Sequence, residues 1–563
     1  MIRSPRVTRL RGLLRLDFGA RTASVAVAAS CLFAALPAFA QDGTAGGTPD
    51  AGTGGATDAP SDAPPKDAPT DAPVAAPPKD APLAPKPPEP TPPKAAKTDA
   101  TAAAGATKDA APAKPPADKP HQGSFEFGSY GRVVAAANGE GDRATDADIV
   151  EHGSRLDEDN YAEIELRRED DWEATGTHTD VVFTLAIASP VFHYSGDFDV
   201  ALAVRNLYLE GRDLGVPGLS AWAGSRMVRG DDIYVLDYWP LDNLNLLGAG
   251  VGYKHEAGTS ARLAVGATQP NSAFFNQKVL RPAPLDGFGA VPVELLDRQK
   301  LIGSLRIEHD QRFGPRATTK SGIKGVLYGE GHVLPDGERE TKPGTTENLP
   351  SDGGFVVGGE VSAYTGERST YVSLFVRYAS GLAAYGQFAT PGHLSLDKTT
   401  DGAREILVAA GGNAEYDFFG TMVGAYFRSF RDASEPLDYE DVDEGAVVLR
   451  PTFWFGNLLG ASLEGSFELA QRGVLAPNAD DPTAAPVGPA IGSVWRIGIV
   501  PFVTPAGRGN FTRPQIRLIY DVAFRDAGAR ALYPQDHPFA TRSVEHFIGF
   551  GAEWWFNSSS YGN

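Results

Sequence analysis

The sequence predicts an all-β protein, a transmembrane antiparallel β-barrel of about 18 strands with an inward-folded constriction loop, preceded by a disordered Pro/Ala-rich segment. Three observations lead to this fold class. The N-terminus has the features of a secretory signal, and short runs of alternating apolar and polar residues fill the chain from His121 onward. Beyond the N-terminus, no apolar window is long enough for a membrane-spanning helix. A membrane-embedded chain of this kind must therefore be a closed sheet.

Residues 1–40 are predicted to be a signal peptide. Arginines precede an apolar segment at residues 23–36, and Ala38-Phe39-Ala40 forms an A-x-A cleavage site before Gln41. The only cysteine, Cys31, lies inside this segment, so the mature chain is expected to have neither a disulfide nor a thiol. The alternative is a lipoprotein modified at Cys31, but the leucine that such a site needs three places earlier is missing.

Residues 41–120 are predicted to be a disordered periplasmic linker. This stretch contains no aromatic residue and loosely repeats Asp-Ala-Pro, with lysine interspersed, so it cannot form an apolar core. Its composition favours polyproline II conformation. The simpler interpretation is a spacer. The alternative is a tether that contacts peptidoglycan or another periplasmic partner.

Residues 121–563 are predicted to form the barrel. In residues 161–167 the charged or tyrosine side chains alternate with apolar ones, and in residues 370–378 Tyr371, Ser373 and Phe375 alternate with aliphatic residues. A soluble β-sandwich alternates too, but the signal peptide, the length and the strand number favour the membrane. The polar segments 332–354 and 472–489 are expected to be extracellular loops, and the aromatics of residues 547–556 are expected at a bilayer interface.

Charge and motif content exclude several functions. The formal net charge of -20 argues against a nucleic-acid partner. The ten histidines are scattered, and neither HExxH nor G-x-S-x-G occurs, so we expect no enzyme, no cofactor and no metal site. A barrel enzyme, such as an outer-membrane lipase or protease, and a structural barrel that holds a periplasmic tether are the rival interpretations.

Residues 221–252 combine charges of both signs with aromatic side chains. After a strand-like start at Trp222, the residues Arg226, Arg229, Asp231 and Asp237 follow closely. Such a mixture suits a wet, narrow passage for sugars, because a sugar ring has hydroxyl edges and apolar C–H faces. The alternative is an ordinary surface loop of mixed charge.

The same stretch resembles the third-loop region of the maltoporin family, the trimeric sugar-selective porins of the Gram-negative outer membrane. The resemblance lies in Trp-Ala-Gly, Asp-Asp-Ile, Leu-Asp-Tyr-Trp and Gly-Ala-Gly, and it extends to residues 127–132, 204–211 and 511–517. It covers most of residues 125–556. The resemblance implies a homotrimer surrounded by outer-membrane lipid, through which maltose-like or maltodextrin-like oligosaccharides diffuse passively.

The resemblance also implies two sets of channel-lining residues. The aromatic path is Tyr130, Tyr161, Tyr371, Phe511 and Trp555. The polar track is Arg132, Arg155, Glu163, Arg205, Asp232 and Asp237.

Three departures from the family pattern stand out. Gly230 falls where the family has a second arginine, so Arg229 is expected to substitute for it, and Trp239 replaces a tyrosine that narrows the pore. The aromatic residue that a neighbouring subunit contributes has no secure counterpart, and the candidates are Phe192, Tyr194 and Phe198. These departures leave a general or ion-selective diffusion porin open as the alternative function.

Overall fold

A computed structural model describes residues 122–188, 201–284, 287–315, 320–366, 369–434, 440–473 and 490–559. The predicted signal peptide at residues 1–40 and the predicted linker at residues 41–120 lie outside this range, as do Phe192, Tyr194 and Phe198. Within the described residues, no helix has the length and apolar character needed to cross a membrane.

The described residues form 22 β-strands and four short helices. The strands are β1 (Gln122–Ala137), β2 (Tyr161–Trp172), β3 (Thr177–Ala188), β4 (Ala201–Arg212), β5 (Leu219–Arg229), β6 (Asn243–Lys254), β7 (Thr259–Thr268), β8 (Asn276–Pro282), β9 (Ala290–Asp297), β10 (Lys300–Arg312), β11 (Gly322–Leu334), β12 (Gly337–Lys342), β13 (Thr345–Leu349), β14 (Asp352–Tyr364), β15 (Tyr371–Gly381), β16 (Arg404–Glu415), β17 (Phe419–Arg431), β18 (Val442–Phe455), β19 (Leu459–Arg472), β20 (Ala490–Val503), β21 (Gln515–Arg525) and β22 (Val544–Phe556). Two helices are 3₁₀ (Tyr234–Leu236 and Leu382–Tyr385), and two are α (Ala527–Ala531 and Pro538–Thr541).

Eighteen of these strands form one closed antiparallel barrel. Each barrel strand pairs with the next barrel strand along the chain, so β7 pairs with β10 and β11 pairs with β14. The intervening strands form two separate hairpins, β8–β9 and β12–β13. The barrel closes where β1 pairs with β22, with Tyr130 opposite Trp555. The predicted fold class and strand number are confirmed.

Alternation along the strands separates a lipid-facing surface from the lumen. On β15, Val372, Leu374 and Val376 are exposed on the outside, whereas Ser373 and Phe375 are buried. The same pattern holds on β2, where Glu163 and Glu165 are buried and Ile164 is exposed, as the sequence predicts. Apolar residues outside and polar residues inside are what a barrel in lipid requires.

The two ends of the barrel differ in the length of their connections. Short turns at residues 173–176, 255–258, 416–418 and 456–458 lie at the end where β1 begins. Much longer connections, including residues 138–160 and 382–403, lie at the other end. In outer-membrane barrels the short turns face the periplasm and the long loops face outward.

One predicted loop boundary was too wide. Residues 332–354 are not a continuous loop, because β11 extends to Leu334, β14 begins at Asp352, and the hairpin β12–β13 occupies most of the interval. Most of the other predicted loop, residues 472–489, lies outside the described residues.

The segment 230–242 between β5 and β6, here called the constriction loop, folds into the lumen. Its 3₁₀ helix buries Tyr234, Val235 and Leu236, and it ends at Asp237, whose φ of 46° is left-handed. The helix packs on β17 at Gly424, where a Cβ would lie 2.6 Å from Val235 Cγ2 and 2.8 Å from Ile233 Cγ2. A glycine at this point of the wall therefore makes room for the loop.

The segment 138–160 between β1 and β2, here called the first loop, also folds inward. The Ile149 N–H donates to Glu468 on β19 at 2.9 Å, and the His152 N–H donates to the Tyr426 hydroxyl on β17 at 3.1 Å. The imidazole of His152 stacks on the ring of Tyr238 in the constriction loop, with 3.8 Å between centroids. The two loops thus support each other inside the barrel.

We predict that Gly424→Val displaces the constriction loop. The added side chain would occupy the space of Val235 and Ile233, and overpacking of this kind costs about 1–3 kcal/mol. Single-channel current in planar bilayers should become larger and noisier. Gly465→Val on β19 is the matched control, because a Cβ there meets no described atom within 4 Å. Equal currents in both variants would contradict the docking role of Gly424.

Candidate solute path

Six aromatic rings follow one another along the inner wall. In order they are Tyr161, Tyr130, Trp555, Tyr234, Phe511 and Tyr371, and successive centroids are 5.9, 6.5, 5.9, 5.5 and 6.5 Å apart. The row runs from the outer end of β2, where Tyr161 is the first residue, to the periplasmic end of β15, where Tyr371 is the first residue. The structure therefore brings all five predicted aromatics together and adds Tyr234.

The rings differ in how far they face open space. Trp555, Phe511, Tyr371 and Tyr234 line a cavity of about 1110 Å³ on the periplasmic side of the constriction loop. Tyr234 is nevertheless only 4% exposed, and Tyr130, which does not line the cavity, is only 2% exposed. Its ring lies close to Trp555 at an interplanar angle of 29°, so it supports the tryptophan from beneath.

Arg155 of the first loop covers Tyr130. Its Nη2 donates to the Tyr130 hydroxyl at 2.9 Å, its Nη1 donates to the Tyr234 carbonyl at 3.2 Å, and its guanidinium lies 4.6 Å from the Tyr234 ring centroid. Arg155 and Arg132 both pair with Glu158, which joins these two predicted arginines to one carboxylate. The inward fold of the first loop thus supplies a cation beside the aromatic row.

Glu553 on β22, near the barrel closure, pairs with several arginines. This buried carboxylate lies 2.6 Å from Arg513 Nε and 3.8 Å from Arg155 Nη2, and it also pairs with Arg517. The Tyr234 hydroxyl donates to it at 3.1 Å. Three guanidinium groups therefore surround one buried carboxylate behind the aromatic row.

Sequence reasoning did not select Tyr234, Glu553 or Arg513 as site residues. Glu553 had a usable signal, because it shares the inward phase of β22 with Trp555. Tyr234 and Arg513 lie outside strands, where alternation gives no direction. Their positions depend on how the loops fold.

Three predicted residues form a second contact at the outer end of the row. Glu163 accepts a hydrogen bond from Arg205 Nη1 at 2.6 Å and another from the Tyr161 hydroxyl. The Arg205 guanidinium lies 5.7 Å from the centroid of the Tyr161 ring. The group presents a carboxylate, a guanidinium and a phenol beside the first ring.

The two substituted positions of the constriction loop have a physical explanation. A Cβ on Gly230 would lie 1.8 Å from Asp242 Oδ1 and 2.3 Å from Arg306 Nη1, which pair with each other at 3.0 Å. A longer side chain at position 230 would break this ion pair. Arg229, expected to substitute for the missing arginine, lies over Trp239 with its guanidinium carbon 3.8 Å from the ring centroid.

Two of the predicted carboxylates, Asp232 and Asp237, lie in the constriction loop. Asp237 Oδ1 lies 3.9 Å from Arg155 Nη2, while Asp232 lines the periplasmic cavity. Burial raises the pKa of Asp232 to about 6, and the nearby Asp237 carboxylate also raises it, whereas Arg155 lowers it. Asp232 is therefore neutral below about pH 6 and negatively charged above it.

We predict that cation selectivity depends on the charge of Asp232. As the pH rises through about 6, this group loses its proton, so the cation-to-anion permeability ratio should increase. Reversal potentials under a salt gradient measure that ratio. Asp232→Asn should flatten the pH profile, and Asp401→Asn in an outer loop should leave it unchanged. A wild-type profile in Asp232→Asn would rule Asp232 out as the titrating group.

A closed barrel with an apolar outer face, and with loops that narrow a charged, aromatic lumen, is the architecture of an outer-membrane diffusion channel. The family model described as LamB porin matches residues 125–556. The chain belongs to this family of maltoporin-like outer-membrane porins, whose members are channels rather than enzymes. No curated protein matches the chain.

The solved structures that the chain matches include three from two bacterial species. OpdK of Pseudomonas aeruginosa, solved with vanillate, is 12% identical over 77% of this chain and 98% of its own, with a TM-score of 0.34. OccK2 (OpdF) of the same species, in complex with glucuronate, is 14% identical over 77% and 98%, with a TM-score of 0.35. OmpT of Vibrio cholerae, in a trimer form, is 11% identical over 78% and 100%, with a TM-score of 0.37.

Proposed function

We propose that this porin mediates passive, facilitated diffusion of sugars, namely maltose-like or maltodextrin-like oligosaccharides. The observation that carries the proposal is the continuous row of six rings, with centroid spacings of 5.5 to 6.5 Å. A sugar ring can lie with its C–H face on Trp555, Phe511 and Tyr371, which face the cavity, while the buried Tyr130 and Tyr234 keep the row continuous behind them. The family membership supports this substrate class.

The charged groups beside the row suit sugar hydroxyls. Arg132 supplies donors, and Asp232 and Asp237 supply acceptors, whereas the buried Arg155 and Glu163 orient the groups around them. A stack on one aromatic contributes about 1 kcal/mol, which is enough to guide a sugar and small enough to release it. Hydrogen bonds can thus be exchanged from one group to the next while the sugar moves along the rings.

We predict that Trp555→Ala and Tyr371→Ala each weaken sugar block of the ion current. Loss of about 1 kcal/mol of stacking corresponds to roughly fivefold weaker binding. Conductance without sugar should stay similar or increase, because the lumen widens. The measurement is ion current in planar bilayers, titrated with maltooligosaccharides of increasing length, then with sucrose and unrelated glycans.

Two further variants sharpen this test. Tyr130→Ala should act indirectly by removing the ring under Trp555, and Phe550→Ala on the outer face of β22 should leave block unchanged. Wild-type affinity in both Trp555→Ala and Tyr371→Ala would remove these residues from the path.

A cation-preferring diffusion porin is the second candidate function. The periplasmic cavity is lined by more acidic than basic side chains: Asp231, Asp232, Glu256, Glu308 and Asp310 against Lys254, Arg312 and Lys324. An acidic passage favours cations. Ohmic current that is indifferent to every sugar would favour this function, whereas saturable block that tightens with sugar length would favour sugar transport.

We further propose a homotrimer, with a signal peptide at residues 1–40 and a periplasmic linker at residues 41–120. The start of β1 at Gln122, at the short-turn end of the barrel, supports a periplasmic position for the preceding segment.

If the linker is a tether, deletion of residues 41–120 should abolish retention of the porin on isolated peptidoglycan. Undiminished retention would leave it a spacer.

A further inference from the structure

Two outer loops meet at a point away from the aromatic row. One is residues 382–403, between β15 and β16, and the other is represented by residues 432–434 and 440–441, between β17 and β18. The Ala433 N–H donates to the Tyr385 hydroxyl at 3.2 Å, and the Gly392 and His393 N–H groups donate to Glu440 at 3.0 and 3.2 Å. The loops are thus held together largely by backbone donors.

An imidazole and two carboxylates converge at this contact. His393, Asp432 and Glu440 each offer one ligand atom, and the three atoms lie within 4.8 Å of one another. His393 Nδ1 and Glu440 Oε2 are 3.9 Å apart, which is too long for a hydrogen bond. A small adjustment would let both atoms bind one ion at metal–ligand distances of about 2.0–2.2 Å.

The two carboxylates are already oriented by their neighbours. Asp432 accepts from the Ser434 N–H at 2.7 Å and from the Glu440 N–H at 3.3 Å, and Glu440 accepts from the two N–H groups of the facing loop. Each carboxylate oxygen has a further lone pair for a metal. Hydrogen bonds of this kind hold metal ligands in place and reduce the entropy lost on binding.

We propose that His393, Asp432 and Glu440 form a binding site for a borderline divalent metal ion such as Zn²⁺. The imidazole decides the metal class, because Ca²⁺ and Mg²⁺ prefer oxygen ligands alone. Asp432 is buried, whereas His393 and Glu440 are partly exposed, so the ion can enter from outside and water can serve as a fourth ligand. Binding would fasten the two loops at the outer mouth, independently of which solute the channel takes.

The test is Zn²⁺ titration of the tag-free, full-length mature porin in detergent, in competition with a chromogenic chelator. We expect one equivalent of Zn²⁺ per chain, and at least about tenfold weaker binding in His393→Gln and in Glu440→Gln. His309→Ala is the matched control, because His309 is an exposed histidine near the periplasmic end of β10. Wild-type single-channel conductance in each variant, measured without sugar, verifies that the barrel is folded.

Several outcomes would overturn the proposal. One is undiminished stoichiometric Zn²⁺ binding in His393→Gln, and another is the absence of a one-to-one complex in the wild-type porin. Tight binding of Ca²⁺ without Zn²⁺ would exclude the imidazole as a ligand. Failure of sugar block would count against the proposed transport function and would leave the Zn²⁺ result unaffected.

Discussion

The pairing of β1 with β22 is the constraint on which the rest of the molecule depends. In lipid, every backbone donor and acceptor of the wall needs a partner, and closure of the sheet provides partners for its two edge strands. The register also places Tyr130 opposite Trp555 and Arg132 opposite Glu553. A shift by one residue would turn Trp555 toward lipid and break the aromatic row.

A wide water-filled barrel would need a polar lining on its whole inner wall. The inner wall of this barrel is polar only in part. Alanine and valine face inward on β18, β19 and β20, at Ala446, Val448, Ala470 and Val494, and all four are buried. They belong to one apolar cluster with Ile149 and Val150 of the first loop and with Ile233 and Val235 of the constriction loop. Apolar wall residues and inward loops therefore stabilise each other, and the open passage is left beside the aromatic row.

The fold was largely predictable from the sequence because side-chain alternation is a local signal. It identified β2 and β15 and the direction of their side chains. It did not identify β11 or β14 as separate strands, because glycines at 322, 325, 329 and 331 of β11, and at 353, 354, 358 and 359 of β14, remove the side chains that would show the alternation. Their place follows from pairing with neighbours, which is a property of the whole sheet.

The site was predictable in part. The family resemblance selected five rings that the structure places in one row, but the near-complete burial of Tyr130 depends on Arg155, which reaches it from the first loop. The glycine at position 230 had no explanation in the sequence, because the ion pair that excludes a side chain joins Arg306 to Asp242, far apart in the chain. Contacts of this kind arise only when distant segments fold into the same lumen.

The stack of His152 on Tyr238 gives the channel a mechanical link between its outer surface and its narrowest part. The first loop connects to strands at the outer end, while Tyr238 belongs to the segment that narrows the passage. Displacement of the first loop would therefore remove a contact that holds Tyr238 in place inside the barrel.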